Sequence, residues 1–236
     1  MSISENMRAV EERIAAAALR CGRTREDITL IAVTKTHPAS MMNEAIEAGA
    51  GFVGENKPQE VRDKFNDVLP VKWHLIGHLQ TNKVKYVIDK CDMIQSVDSI
   101  KLMAEIERLA ISHDTKMDIL IQVNISGEES KSGIKPEELD GLLKFAGELT
   151  RVKVRGLMTI IPESDDKEEN AAWFTQMKRL YDKTAERAGE YKNVTMEYLS
   201  MGMSGDFETA IECGSNMVRV GSAIFGARNY QMMEGR

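Results

Sequence analysis

Near the N-terminus Met7, Val10, Ile14, Ala18 and Cys21 return at helical spacing and the pattern stops at Gly22, so the chain opens with an amphipathic helix. Beyond it, short β-branched apolar runs alternate with helical stretches. Strands are predicted at 28–34, 52–54, 71–76, 93–97, 119–124, 152–159, 194–199 and 217–221. Helices are predicted between them at 38–48, 58–68, 81–89, 98–113, 136–149, 166–188 and around 207–213, with Pro38, Pro58 and Pro136 in first turns and Gly49 and Gly189 just past two ends. A sustained βα alternation implies a parallel sheet covered by helices. Eight strands in 236 residues, close to the roughly 250 of a (β/α)8 barrel, predict an α/β fold: a single-domain TIM barrel over residues 1–236 with an extra N-terminal helix. An open doubly wound sheet is the alternative.

Composition narrows the function. With 42% hydrophobic and 29% charged residues the chain reads as an ordinary folded protein, and a net charge of −6 offers no positive field for a nucleic acid backbone. The apolar run 14–19 is far short of the roughly 20 residues of a membrane span, and Glu5, Glu11 and Glu12 stand where a signal peptide would be apolar. A cytoplasmic location, with no membrane and no nucleic acid partner, is expected. Cys21, Cys91 and Cys213 form no CxxC pair, which argues against disulfides and a metal site and makes them small apolar residues.

Several motifs are decoys. Gly49, Gly51 and Gly54 spell GxGxxG, but here the motif follows a helix and enters a strand, the reverse of a dinucleotide site. His74 and His78 have metal-like spacing, yet Leu75 stands where a zinc protease carries Glu; they read as hydrogen-bonded structural histidines, with His78 at the border of a site as the lesser reading. Met196, Met201 and Met203 read as core and wall filler.

Chemistry gathers where barrel strands end. Lys35 follows the first strand, a position that by itself favours a solvated loop lysine over a catalytic one. On the eighth strand, alternation puts Val218 and Val220 on one face and Met217, Arg219 and Gly221 on the other. If the valines meet the outer helices, Arg219 points into the barrel and requires a partner, either a ligand or an inward carboxylate such as Glu55 or Glu197. Ser200 ends the seventh strand, and Gly221-Ser222 turns from the eighth strand into a short helix, the parts of a phosphate cup. Lysine, cup and arginine would be neighbours in a closed barrel, an arrangement suited to an aldehyde-bearing phosphate held as a Schiff base.

The segments Ala32-Val33-Thr34-Lys35-Thr36, Gly54-Glu55-Asn56, Trp73 to Lys83, Gln122 to Ile125, Arg155 to Thr159 and Leu199 to Arg228 closely resemble the pyridoxal phosphate homeostasis proteins, which share the alanine racemase type of barrel. The resemblance implies a pyridoxal phosphate barrel of fold type III. It implies further that Lys35 forms the aldimine with pyridoxal 5'-phosphate, that Ser200, Gly221 and Ser222 hold the phosphate, that Arg219 faces the pyridine nitrogen and that Asn56 lies near the ring. Two positions depart from the family pattern: Lys57-Pro58 follows Asn56, where many relatives have an aromatic and another residue, and Ser222 replaces a more usual Thr, keeping the hydroxyl.

An arginine at the ring nitrogen leaves that nitrogen unprotonated and the electron sink shallow. The chain ends eight residues after Arg228, without the second domain from which racemases of this type take their tyrosine. The reading is therefore a monomeric carrier that limits free aldehyde or delivers pyridoxal phosphate to apo-enzymes, with no dedicated catalytic residue. A small amino acid racemase using Lys35 and a second base such as His78 is the alternative. A Schiff-base aldolase fits the barrel and the cup but not the family segments.

Overall fold

The computed structural model describes residues 2–226. Arg228, where the family resemblance ends, and the rest of the tail lie outside the described residues.

Eight parallel strands close into one barrel in sequence order. They are β1 (Thr29–Val33), β2 (Phe52–Glu55), β3 (Lys72–Leu75), β4 (Met93–Val97), β5 (Met117–Gln122), β6 (Val152–Met158), β7 (Val194–Ser200) and β8 (Met217–Val220). The pairing of β8 with β1, Ile31 beside Arg219 and Ala32 beside Val220, completes the closure and rules out the open sheet. Around the barrel lie α1 (Ile3–Arg20), α2 (Ala39–Glu47), α3 (Pro58–Lys64), α4 (Ile100–Ser112), α5 (Leu139–Ala146), α6 (Lys167–Arg187), α7 (Phe207–Glu212) and α8 (Ser222–Phe225).

Alternation along the strands sorts side chains into two layers. Val218 and Val220 join α1, α7 and α8 in the outer layer, while Met217 meets Ile31, Met93, Leu120 and Met158 inside the barrel. The inner apolar cluster is small. The interior also carries polar side chains, His74 level with Met93 together with Gln95, Ser200 and Arg219, all buried.

α1 is the added helix, started by a Ser2–Glu5 capping box. It braces the end of the chain: Arg13 pairs with Glu208, Arg20 with Glu212, and the Asn6 amide donates to the Ile224 carbonyl at 2.8 Å. The acidic segment after Pro162 opens α6, with Asp166 accepting from the Glu168 and Glu169 N–H groups. The segment expected as a helix at 81–89 is instead a 3₁₀ helix over Thr81–Tyr86. It has no capping side chain, and Val84, Val87 and Ile88 are β-branched residues that propagate an α-helix poorly. Of the methionines expected as filler, Met201 is fully buried but Met203 is exposed, and Cys21 is likewise exposed. No described helix is long and apolar enough to cross a membrane.

Candidate functional site

The predicted site residues converge on the C-terminal mouth of the barrel. Lys35 lies half-buried in the turn that leaves β1, with His37 N–H donating to the Thr34 carbonyl at 3.1 Å and Thr36 at a φ of +68°. Asn56 follows β2. Lys57 is extended and Pro58 takes the first position of α3, so the unusual Lys-Pro pair starts that helix in a standard way. The Asn56 backbone lies so close to Gly77 that a Cβ there would sit 2.3 Å from its carbonyl oxygen, which makes glycine obligatory after β3.

Arg219 points into the barrel, as alternation requires, and is 3% exposed. Neither carboxylate considered as its partner reaches it. Glu55 lies beneath α3, where it accepts from Lys64 and the Thr34 hydroxyl, each at 2.8 Å, and burial, opposed by Lys64, pushes it up to about 7. Glu197 is paired with Arg155. Arg219 instead donates to the Ser200 hydroxyl at 2.6 Å and to the Thr159 carbonyl at 2.9 Å. Burial pulls its guanidinium down to about 10, with the Asp206 carboxylate opposing, so it remains a cation at neutral pH. Only two of its five N–H donors are engaged among the described residues.

Ser200, expected in the cup, is buried and bonded inside the barrel. Its hydroxyl accepts from Arg219 and donates to Gln95 Oε1 at 2.7 Å; the Gln95 amide in turn donates to His74 Nδ1 at 2.8 Å. Because Arg219 can only donate, it sets the polarity of the whole row and leaves His74 neutral with its proton on Nε2. Burial, with Lys72 adding to it, holds His74 at about 3. His78 is exposed and pairs with Asp98 at 3.3 Å.

The cup itself is the turn from β8 into α8. Gly221 presses on Val33 of β1, where a Cβ would lie 3.2 Å from the valine Cβ, so the backbones of the Lys35 strand and the cup run side by side. Its N–H and that of Ala223 both point at one oxygen, the Ser204 hydroxyl, at 3.1 and 3.4 Å. Ser222 is exposed at the start of α8. Ser204 was not singled out as a site residue by sequence, although it ends the distinctive Leu199–Ser204 segment; Gln95, polar in the middle of the apolar run of β4 and inward by alternation, was the other missed signal.

With this geometry in view, comparison with known proteins decides the family. The family model described as "Alanine racemase, N-terminal domain" matches residues 6–229. The pyridoxal phosphate homeostasis protein of Aquifex aeolicus is 42% identical over 98% of this chain and 100% of its own. The chain belongs to the pyridoxal phosphate homeostasis proteins. A solved family member, PipY of Synechococcus elongatus with pyridoxal phosphate bound, is 32% identical and superposes with a TM-score of 0.78 over 92% of this chain and 100% of that one. The alanine racemase of Clostridium difficile, 17% identical, has a TM-score of 0.73 and covers 95% of this chain and 60% of that one, a likeness of fold alone.

The residues present fit the family's cofactor. Two backbone donors converge on an oxygen position at the start of α8, a buried cation without an ion-pair partner among the described residues stands below them, and a lysine lies on the adjoining strand end. Asn56, half-buried, follows β2 at the same mouth.

Proposed function

We propose that this protein binds pyridoxal 5'-phosphate reversibly through Lys35 and thereby maintains intracellular vitamin B6 and amino acid pools, as a cytoplasmic monomer that passes the cofactor to apo-enzymes. When bound, the cofactor supplies an aldehyde for capture by an amine and a ring that withdraws electrons in proportion to the protonation of its nitrogen. Lys35 provides the amine. Gly221, Ser222 and the Ala223 N–H bind the phosphate, with Ser204 exchanging its place for a phosphate oxygen, and Asn56 orients the ring. Arg219 donates to the ring nitrogen and, as a permanent donor, leaves it without a proton.

The observation that carries this reading is the environment of Arg219: a buried guanidinium held by a hydroxyl and a carbonyl, with no carboxylate in contact among the described residues and donors to spare. Such a group binds the ring without deepening its electron sink. In this reading the site suits holding the ring rather than removing α-protons.

The test combines binding, transfer and exchange. Purified protein should take up pyridoxal phosphate, lose it to an apo-enzyme, and exchange the α-protons of common L-amino acids slowly or undetectably. Racemisation of any common amino acid at the roughly 10 per second of a median enzyme would replace this reading with that of a racemase.

A further inference from the structure

Lys35 sits second in a four-residue turn, Thr34 to His37, whose third residue is left-handed. Glycine ordinarily fills that position. Here it is Thr36, a β-branched residue for which a φ of +68° is a strained conformation. Something must hold the turn, and α3 supplies it. Glu60 Oε2 accepts the Thr36 N–H at 2.8 Å. Lys64, one helical turn on, donates to Glu60 at 2.7 Å, to Glu55 at 2.8 Å and to the Thr34 carbonyl at 3.3 Å, so all three of its N–H donors are used. The Thr34 hydroxyl closes the ring of contacts on Glu55, which is fully buried. The turn is thus fastened at its first residue, Thr34, and at its strained third residue, Thr36, from the side of α3.

We infer that Glu60 and Lys64 are positioning residues for Lys35: they hold the strained turn in the one conformation that presents the lysine at the barrel mouth, so covalent capture of an aldehyde depends on them although they lie outside the cup. The inference rests on Lys35 being the attachment point. An ordinary stabilising contact would make no distinction between ligands, whereas a clamp on the lysine turn acts only on ligands that react with the lysine. It also becomes dispensable once the turn needs no holding, which glycine at position 36 achieves.

The experiment measures binding of pyridoxal phosphate and of pyridoxamine phosphate, which has no aldehyde, to the full chain and to Glu60→Ala, Thr36→Gly and the double variant. Glu60→Ala should weaken pyridoxal phosphate binding about tenfold, the scale of one charge-assisted hydrogen bond, and leave pyridoxamine phosphate unchanged. Thr36→Gly alone should behave as the parent, and added to Glu60→Ala it should restore most of the loss. Glu60→Gln, which keeps an acceptor oxygen for the Thr36 N–H, should fall between the parent and Glu60→Ala and serves if the alanine variant does not fold. Equal losses for both ligands, no loss, or no rescue by glycine would overturn the inference. Borohydride reduction of the loaded parent separates the two levels: label on Lys35 with no effect of Glu60→Ala ends this inference alone, while label on another lysine ends the attachment reading.

Discussion

Two arginines project from strands at opposite ends of the barrel, and they are handled in opposite ways. Arg155, on β6 near the N-terminal mouth, is paired with Asp118 and with Glu197, and those hydrogen bonds push its guanidinium up. Arg219 lies deeper, bound by a hydroxyl and a carbonyl, and burial pulls it down. One charge is neutralised by neighbours; the other is kept. Burying a cation without a carboxylate is costly, and the expense makes sense where a ligand completes the shell. The same contrast holds for the surroundings. Lys72, Asp92, Asp118 and Arg155 line a cavity of about 190 Å³ at the N-terminal end, a mouth of mixed and mutually compensating charge. At the other mouth the donors converge. What each arginine touches separates a side chain satisfied within the protein from one that, in our proposal, a ligand completes.

The largest effect expected from this comparison is on stability. His74 ends the row that begins at Arg219, and its pKa of about 3 lies far below the 6.5 of an unfolded chain, chiefly because it is buried. A depressed histidine contributes stability that is present above pH 6.5 and is lost as pH falls toward 3, in total on the order of 4–5 kcal/mol. Glu55, raised to about 7 by burial, acts with the opposite sign in the same window, so denaturant unfolding between pH 4 and 7 should show stability gaining with pH in the parent relative to His74→Gln; the same pH dependence in both would mean that the row does not hold the imidazole neutral.

Exchanging the two arginines for methionine sharpens the contrast next. Arg219→Met should weaken pyridoxal phosphate binding on the order of a hundredfold, the scale of one or two hydrogen bonds to a charged group, whereas Arg155→Met should leave it within about twofold. Titration of the two variants by absorbance checks this, and similar losses would erase the distinction.

A smaller effect separates the two serines. Ser200 touches Arg219 and Gln95, so Ser200→Ala should weaken pyridoxal phosphate and unphosphorylated pyridoxal alike, each about tenfold. Ser204 lies at the cup, so Ser204→Ala should affect only the phosphorylated ligand. A Ser200 effect confined to the phosphorylated ligand would return that residue to the phosphate.

The barrel was legible because most strands are short runs rich in β-branched residues and several crossovers begin or end at a Pro or Gly, as at Pro38, Gly49, Pro58, Pro136 and Gly189. Its edges were less so. β5 starts at Met117, two residues before the expected 119, because Asp118 interrupts the apolar run yet belongs to the strand, turned toward the cavity and Arg155. The inward direction of Arg219 followed from alternation alone. Its partners did not: Ser200 and the Thr159 carbonyl come from β7 and the end of β6, and Gln95, which Ser200 bonds in turn, comes from β4, all brought together only by closure of the barrel. Glu60 and Lys64 were invisible for another reason. On a short amphipathic helix they look like any solvated pair at i, i+4 spacing, and only the left-handed Thr36 reveals what they fasten.

The central claim is that Lys35 is the point at which the cofactor is held. Loading the purified protein with pyridoxal phosphate, reducing it with borohydride and mapping the modified peptide tests it directly. The account predicts label on a single peptide at Lys35, and none at that position in Lys35→Ala, which should still bind the ligand weakly and reversibly through the cup. Label at Lys57, Lys83 or any other lysine as the principal site would contradict it.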